Sequence, residues 1–335
     1  MRRSAVIDIH AHYYPASFLK LMADEGRRFG ATCEATERGP LLQVGELKAG
    51  PLEERFTDLE LRIASMDDSA VTIQALSLTQ PMVYWPDEAL SERLAAVFND
   101  ALAAAHEAYP TRLIGLATLP MQKPGLALKE LDRVAGLSGI RGVYMATRIL
   151  ERELSAQELF PVYERLEDLR LPVFLHPLNV IGRERLDPFF LHNLLGNPFD
   201  TAVAAAHLIF GGVLDRFPGL QVVLPHAGGA LPFLIGRLHH GWKVRPECRH
   251  LERGPLSYLR RFHYDTVSHS LEALSYLVGL VGPDRIMLGS DFCFDMGVER
   301  PVESVAALAS LSKDERQLIL GLNACRLLGL EPEAA

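Results

Sequence analysis

The chain has 335 residues, 48% of them hydrophobic and 23% charged, with a formal net charge of −8, which fits a globular protein with a large core and excludes a disordered one. The acidic balance excludes nucleic acid as the main partner, because nucleic-acid-binding proteins usually carry a basic patch. No apolar run approaches the roughly 20 residues that span a bilayer, and the four cysteines form no CxxC pair, so we expect a cytoplasmic protein with free thiols and no membrane partner.

The first predicted element is a strand that carries two histidines. The segment reads VIDIHAHYYP, residues 6–15, and strand side chains alternate between faces, so Asp8, His10 and His12 share one face. Two imidazoles at positions i and i+2 can converge on one point. Asp8 lies one layer below His10, and we expect it either to orient a ligand imidazole or to be a buried carboxylate paired with a neighbour.

Residues 15–58 interrupt the pattern that the rest of the chain follows. In the stretch ERGPLLQVGELKAGPLEERF, Gly and Pro separate short runs in which apolar and polar residues alternate. It predicts a small inserted hairpin subdomain after the first strand.

From residue 68 onward, short β-rich runs alternate with amphipathic helical stretches. The predicted strands in this part are 71–77, 112–118, 140–145, 172–176, 221–226, 261–266 and 285–291. With the first strand, this alternation predicts an α/β fold, a parallel (β/α)₈ TIM barrel in which residues 1–335 form one domain. A long irregular segment, 178–200, follows the fifth strand, and we expect it to be a binding loop or lid.

Several predicted strands end in residues that can bind a metal ion. The first ends at His10 and His12, the fifth at His176, the sixth at His226 and the eighth at Asp291. Because barrel active sites form at the carboxyl ends of the strands, all five should surround one mouth. Three imidazoles and a carboxylate suit Zn²⁺, and also Mn²⁺, Fe²⁺ or Co²⁺. The fourth strand has no lysine or carboxylate that could bridge two ions, so we predict one divalent metal, with Zn²⁺ as the first choice.

Long segments of the chain resemble a known family. They are DIHAHYYP, YPTRLIGLATLPMQKP, SAQELFPVYE, VFLHPLN, GGVLDRFPGLQVVLPHAGGALPFLIGRLHHGW and RIMLGSDFCFDMG. In these segments the sequence is similar to the amidohydrolase superfamily, and within it to the metal-dependent non-oxidative decarboxylases of the aminocarboxymuconate semialdehyde type.

The resemblance implies roles for individual residues. The implied metal ligands are His10, His12, His176 and Asp291. It also implies that His226 is the catalytic base or orients water, acting together with Asp291, and that Arg237 contacts a substrate carboxylate in the neighbouring subunit's site. The resemblance therefore implies a homodimer.

Two departures from the family pattern concern the substrate. Gly50 aligns with an arginine by which the family binds substrate. After the metal-binding aspartate, Phe292, Cys293 and Phe294 replace the family's Tyr-Pro-Phe, and Asp295 follows. These changes leave the identity of the substrate acid open.

Other candidate substrate contacts come from the residues themselves. Tyr84 and Trp85 could pack against a planar substrate or simply pack within their loop. Arg183 could bind a carboxylate or be a solvated loop residue. Phe292 and His269 lie near the predicted mouth and could also contact substrate.

The function that these features favour is non-oxidative decarboxylation of a small aromatic or muconate-type carboxylic acid. Loss of CO₂ from such an acid requires that the carbon bearing the carboxylate first become tetrahedral, through protonation or hydration. A metal ion that lowers the pKa of bound water, together with His226, can supply that step. The alternatives are a metal-dependent hydrolase of a lactone or amide, and a hydratase of a conjugated acid.

Overall fold

The computed structural model describes residues 5–332, and its strands and helices alternate along most of the chain. The strands are β1 (Ile7–His12), β2 (Ala31–Thr36), β3 (Gly39–Val44), β4 (Leu47–Ala49), β5 (Ile73–Ser77), β6 (Leu113–Ala117), β7 (Ile140–Ala146), β8 (Arg148–Ile149), β9 (Arg152–Glu153), β10 (Val173–His176), β11 (Val222–Leu224) and β12 (Phe262–Tyr264). The helices are α1 (Ala16–Glu25), α2 (Leu59–Asp68), α3 (Glu88–Ala108), α4 (Pro124–Val134), α5 (Phe160–Leu169), α6 (Asn197–Phe210), α7 (Val213–Arg216), α8 (Leu231–Val244), α9 (Leu271–Val281), α10 (Pro301–Ala306), α11 (Lys313–Gln317) and α12 (Asn323–Leu328).

Seven of the strands form one curled parallel sheet in the order β1, β5, β6, β7, β10, β11, β12. These strands are buried along their whole length except at Arg141 of β7. Burial on both faces is typical of a parallel sheet that is covered by its crossover helices, and it explains the near-continuous apolar runs in the sequence. All the carboxyl ends of these strands therefore lie at one edge of the sheet.

The eighth predicted strand is not a regular strand. Residues 286–292 instead link the two edges of the sheet through isolated bridges, Ile286 to Tyr264 of β12 and Phe292 to Ala11 of β1. The prediction of eight regular strands is therefore corrected to seven strands and a bridging segment.

Hydrogen bonds from backbone to side chains explain why the bridging segment does not pair continuously with the neighbouring strands. The backbone N–H of Gly289 donates to Thr266 Oγ1 at 3.1 Å, and that of Ser290 donates to Asp8 Oδ1 at 3.1 Å. Asp291 then has a left-handed backbone, with φ of +60°. Backbone hydrogen bonds to the neighbouring strands persist, such as those from Ile9 N–H to the carbonyl of Leu288 at 2.9 Å and from Met287 N–H to the carbonyl of Tyr264 at 2.9 Å. The side-chain bonds and the turn interrupt this pairing at Gly289 and Ser290 and aim Asp291 at the mouth of the sheet.

Between β1 and α2 the chain forms α1 and a separate three-stranded antiparallel sheet, β2–β3–β4. Gly39 begins β3 with φ of +112°, and a Cβ there would lie 2.0 Å from the carbonyl oxygen of Leu52. Only glycine fits this turn. The small sheet brings residues 41–50 to the mouth of the large sheet.

Within residues 5–332, no helix is both long and apolar enough to cross a bilayer.

Candidate metal centre

The structure brings the five strand-end residues together. The ring centroids of His10 and His12 lie 5.0 Å apart, and those of His10 and His176 lie 5.5 Å apart. Single ligand atoms of His10, His176, His226 and Asp291 all lie within 4.8 Å of one another. This four-residue cluster includes His226 in place of His12, but His12 Nε2 is only 2.9 Å from Asp291 Oδ1.

The contacts in this cluster fit a divalent cation. His12 donates through Nδ1 to Ser77 Oγ, whose own hydroxyl donates to the carbonyl of Ala11. A neutral His12 therefore turns the Nε2 lone pair toward a carboxylate oxygen of Asp291, and two acceptors face each other. The buried Nε2 of His10, 3.4 Å from the same oxygen, has no hydrogen-bond partner among residues 5–332. Nitrogen and oxygen lone pairs that converge in this way suit a metal ion.

Three of the histidines are oriented by hydrogen bonds through Nδ1. His10 donates to Asp265 Oδ2 at 2.7 Å, and His12 Nδ1 lies 3.1 Å from Ser77 Oγ. His176 donates to the carbonyl of Pro177 at 2.8 Å, with Thr79 Oγ1 also at 3.0 Å. Such bonds fix the tautomer and leave Nε2 to bind a metal.

His226 differs from the other three histidines. Its Nδ1 is buried without a hydrogen-bond partner in the described part of the chain, and its Nε2 lies 3.9 Å from Asp291 Oδ2. His226 and Ala227 both have a left-handed backbone, with φ of +53° and +55°. Non-glycine residues are held in this region only when their surroundings impose it, and such residues are common at active sites.

The side chain of Asp265 holds His226 and Ala227 in this left-handed conformation. Its carboxylate accepts from the backbone N–H groups of His226 at 3.0 Å, Ala227 at 2.7 Å and Val267 at 3.0 Å, in addition to the imidazole of His10. Asp265 is not among the site residues predicted from the sequence. It is the last residue but one of the seventh predicted strand, 261–266, so the rule that active-site residues lie at the carboxyl ends of strands could have found it together with the histidines.

We expect Asp265→Asn to weaken metal binding by about 10- to 100-fold, because an amide cannot accept from both His10 and the turn at His226. Competition with a chromophoric chelator measures this. Asp200→Asn is the matched control, since Asp200 is also buried but its carboxylate bonds to Thr147. An Asp265 variant with wild-type affinity would contradict the proposed orientation of His10.

The charge states of the cluster follow from burial. Burial lowers the pKa of His12 to about 4, although the neighbouring carboxylate of Asp291 opposes this, and it lowers the pKa of His176 and of His226. Burial also acts to lower the pKa of His10, but the attraction of Asp291 and the hydrogen bond and charge of Asp265 together outweigh it and raise that pKa to about 9. Metal binding requires neutral imidazoles, so only His10 has to release a proton at neutral pH.

Asp8 bonds to backbone and neutral side chains rather than to an imidazole. It accepts from the backbone N–H of His10 at 3.1 Å, from Gln74 Nε2 at 2.9 Å, and from both the N–H and the hydroxyl of Ser290. Of the two alternatives, Asp8 is therefore a buried, paired carboxylate. It nevertheless fixes the backbone next to both His10 and Asp291.

Two cavities meet at Asp291, and both are lined by Asn193 and Asn197. The larger, of about 800 Å³, we call the apolar chamber. The smaller, of about 550 Å³, we call the charged chamber.

The two chambers differ in their side chains. The apolar chamber is lined by His226, His269 and Glu272 and by apolar residues that include Leu194, Pro232, Phe233, Val267, Tyr276 and Leu277. The charged chamber is lined by His176 and by Glu46, Lys48, Arg183, Asp187 and Asp295. Among residues 5–332, no lysine or arginine lines the apolar chamber.

Of the predicted substrate contacts, Arg183 lines the charged chamber and His269 lines the apolar chamber. The Nε of Arg183 pairs with Asp187 at 3.0 Å. Tyr84 is buried, and its hydroxyl accepts from the N–H of Ala146, while the half-buried Trp85 donates to the carbonyl of Met82. These bonds turn both side chains toward the fold, and neither lines a chamber.

Phe292 and Arg237 also lie outside the two chambers. The ring of Phe292 stacks beneath Arg62, with 5.0 Å from the guanidinium carbon to the ring centroid. Arg237 is exposed on α8. Within one chain, Arg237 therefore does not contribute to the site.

Comparisons with known proteins agree with this geometry. A sequence profile of the family described as Amidohydrolase matches residues 7–330. The chain is 33% identical over 343 residues to the 2-amino-3-carboxymuconate-6-semialdehyde decarboxylase of Dictyostelium discoideum, which covers 98% of this chain and 93% of that protein.

Solved structures are similar across the whole chain. The 5-carboxyvanillate decarboxylase of Sphingomonas paucimobilis is 25% identical, with a TM-score of 0.85 over 98% of this chain and all of that one. A dihydroxybenzoic acid decarboxylase from Polaromonas sp., solved with bound manganese and an inhibitor, is 24% identical with a TM-score of 0.80, covering 98% of this chain and 97% of the other.

Proposed function

Since the chain belongs to the amidohydrolase family, in its branch of metal-dependent decarboxylases, we propose that it removes CO₂ without oxidation from an aromatic or muconate-type carboxylic acid. The observation that carries this proposal is the cluster of imidazole and carboxylate ligand atoms at the point where two chambers meet. We interpret the curled sheet and its bridging segment as a (β/α)₈ barrel whose mouth holds the site, with residues 15–58 as a small insertion within a single domain.

We propose His10, His12, His176 and Asp291 as the ligands of one divalent metal. The support is that each of these three imidazoles already uses Nδ1 in a hydrogen bond, so that Nε2 is available to the metal. Zn²⁺ is the first choice, and Mn²⁺, Fe²⁺ and Co²⁺ suit the same ligands. When bound, the metal polarises the carboxylate of the substrate or lowers the pKa of a water molecule.

His226 is then the residue that moves a proton. It lines the apolar chamber, its pKa is lowered by burial, and none of the described residues accepts a hydrogen bond from Nδ1 or donates one to it. In the proposed reaction His226, whose lowered pKa favours the neutral form, takes up a proton from solvent and delivers it to the carbon that bears the carboxylate, which becomes tetrahedral. The bond between that carbon and the carboxylate then breaks, and its electron pair returns to the conjugated system as CO₂ leaves.

The apolar chamber is the proposed site for the planar part of the substrate. Its apolar walls, with Ser268 and His269 among the polar groups, suit a hydroxylated aromatic ring better than a second carboxylate, because none of the described lysines or arginines lines it and the carboxylate of Glu272 does. A second anionic group would have to enter the charged chamber, where Lys48 and Arg183 lie. The substrate is therefore a small carboxylic acid with one carboxylate at the metal centre.

A CO₂-release assay tests the proposal. Purified, metal-loaded protein is incubated with 5-carboxyvanillate, with dihydroxybenzoic acids and with an aminocarboxymuconate semialdehyde, and CO₂ and the remaining acid are measured. We expect one CO₂ for each molecule of acid consumed from at least one of these substrates. Hydrolysis of lactones or amides, or hydration of conjugated acids, without CO₂ would identify a hydrolase or hydratase instead.

We also propose that the protein is a cytoplasmic homodimer in which Arg237 reaches the partner's site. Phe233, one turn before Arg237 on α8, is 83% exposed, and Phe189 in the long loop after β10 is 87% exposed. Exposed aromatic side chains next to a mouth are typical of a protein interface. A second subunit packed here would cover them and place Arg237 beside the apolar chamber.

Subunit complementation tests the contribution of Arg237. His226→Ala and Arg237→Ala homodimers should each be nearly inactive. After co-refolding in equal amounts, we expect recovery of about a quarter of the wild-type activity, because half of the dimers are mixed and each has one intact site. Mixtures with no more activity than the parents would show that Arg237 does not act across subunits.

A further inference from the structure

Arg62, on α2, is a fully buried cation that contacts no carboxylate within residues 5–332. Its guanidinium donates to Gln74 Oε1 at 2.7 Å and to the carbonyls of His12 at 2.5 Å and Arg55 at 3.0 Å. Burying a charge without an oppositely charged group in contact with it is costly in free energy. An arginine kept in this position therefore calls for a role beyond packing.

Gln74 links Arg62 to the buried anion Asp8. The side-chain oxygen of Gln74 accepts from Arg62, and its nitrogen donates to Asp8 Oδ2 at 2.9 Å. The same carboxylate oxygen accepts from the hydroxyl of Ser290 at 2.6 Å. A continuous chain of hydrogen bonds thus joins α2, β5, β1 and the bridging segment, and we call Arg62, Gln74, Asp8 and Ser290 the buried relay.

Of the three segments that carry proposed metal ligands, the buried relay fixes two, β1 and the bridging segment. On one side, Arg62 bonds to the carbonyl of His12, and Asp8 accepts from the N–H of His10. On the other side, Asp8 accepts from the N–H of Ser290, the residue before Asp291. The backbone N–H of Asp291 also donates to the carbonyl of His10 at 2.9 Å, so the relay and the backbone together fix how far β1 lies from the turn at Asp291.

We propose that Arg62 is a positioning residue that sets the geometry of the metal centre through Gln74, Asp8 and Ser290. This inference rests on the proposed ligands His10, His12 and Asp291. Arg62 does not touch the metal or the substrate; it holds the backbone on which these ligands are carried. The opposite charges of Arg62 and Asp8, bridged by the neutral amide of Gln74, give the relay one preferred geometry.

Three variants test the buried relay at different links. Arg62→Lys keeps the charge but cannot reach Gln74 and two carbonyls together. Gln74→Met removes the bridge between the two charges, and Ser290→Ala removes the hydroxyl that Asp8 holds. Arg112→Met is the matched control, because the side chain of Arg112 bonds to the carbonyl of Thr72, just before β5, and pairs with Asp67, so that it takes no part in the relay.

Two readouts report the metal centre rather than stability: the visible absorption spectrum of the Co²⁺-loaded protein, which depends on ligand geometry, and the metal affinity from chelator competition. The melting temperature of the metal-free protein reports stability separately. We expect Gln74→Met and Ser290→Ala to change the Co²⁺ spectrum and to weaken metal binding by about 10- to 100-fold. Arg112→Met should lower only the melting temperature.

The outcomes separate this inference from the proposed function. If the wild-type protein binds no metal, the proposed ligands are wrong. If it binds metal and the folded relay variants keep both the wild-type spectrum and the wild-type affinity, the role of Arg62 is refuted. If Arg62→Lys does not fold, Gln74→Met and Ser290→Ala decide in the same way.

Discussion

Replacing His226 by alanine is expected to lower kcat by about 100- to 10,000-fold, the range typical of a lost general acid or base. The imidazole lines the apolar chamber, its Nε2 lies 3.9 Å from Asp291 Oδ2, and its Nδ1 has no partner within the described residues. His226 is thus free to move a proton, whereas the other three histidines each use Nδ1 in a hydrogen bond. The protein should keep its metal, because three imidazoles and a carboxylate remain.

Initial rates of CO₂ release and the metal content of the same samples measure this effect. His269→Ala is the control, because His269 lines the same chamber but lies outside the ligand cluster. We expect it to act mainly on KM. A His226→Ala variant with full activity would remove His226 from the mechanism, and one that lost its metal would show that His226 is a ligand.

Replacing His10 by alanine is expected to abolish both metal binding and activity. His10 belongs to the four-residue cluster and to the proposed ligand set, and Asp265 orients it. Loss of a direct ligand should exceed the roughly 10- to 100-fold loss of affinity that follows removal of an orienting residue. His10→Ala should therefore contain little metal after dialysis, and its rate of CO₂ release should fall to background.

Elemental analysis after dialysis, with circular dichroism to confirm folding, measures the loss. His263→Ala is the matched control, since His263 is a buried histidine of β12 that contacts Gln221 instead of the metal centre. The control should retain one metal per chain. A folded His10→Ala variant with a full metal complement would contradict the ligand assignment.

Active-site residues of a parallel sheet lie at the carboxyl ends of its strands, and this strand-end rule explains why so much of the site could be predicted from the sequence. His10, His12, His176, His226 and Asp291 each follow a short apolar run, and parallel strands place their carboxyl ends at one edge. That rule depends only on local pattern and topology. It therefore succeeded even where the eighth strand proved to be a bridging segment.

The residues that hold the site could not be predicted in the same way. Arg62 reads as one more charged residue on an amphipathic helix, and Gln74 as a polar residue in an apolar strand. Their roles arise from contacts with Asp8 and His12, distant in sequence. Such contacts depend on how α2 packs on the sheet, which the sequence pattern does not specify.

Aromatic residues near the mouth gave the weakest predictions. Tyr84 and Trp85 follow β5 closely enough to reach substrate, but their polar atoms bond to Ala146 and Met82 inside the fold. Proximity to a strand end does not fix which way a long side chain turns. The long loop after β10 instead lines both chambers, with α9 contributing to the apolar chamber and residues 41–50 to the charged chamber, and the sequence left the paths of these segments open.

Metal-dependent CO₂ release tests the central claim most directly. The protein is stripped with a chelator, assayed with an aromatic acid that the screen has identified as a substrate, and then titrated with Zn²⁺ or Mn²⁺ while CO₂ is measured. The account predicts no CO₂ from the stripped protein and full recovery at one metal ion per chain. Undiminished CO₂ release from protein shown by elemental analysis to contain no metal would contradict it.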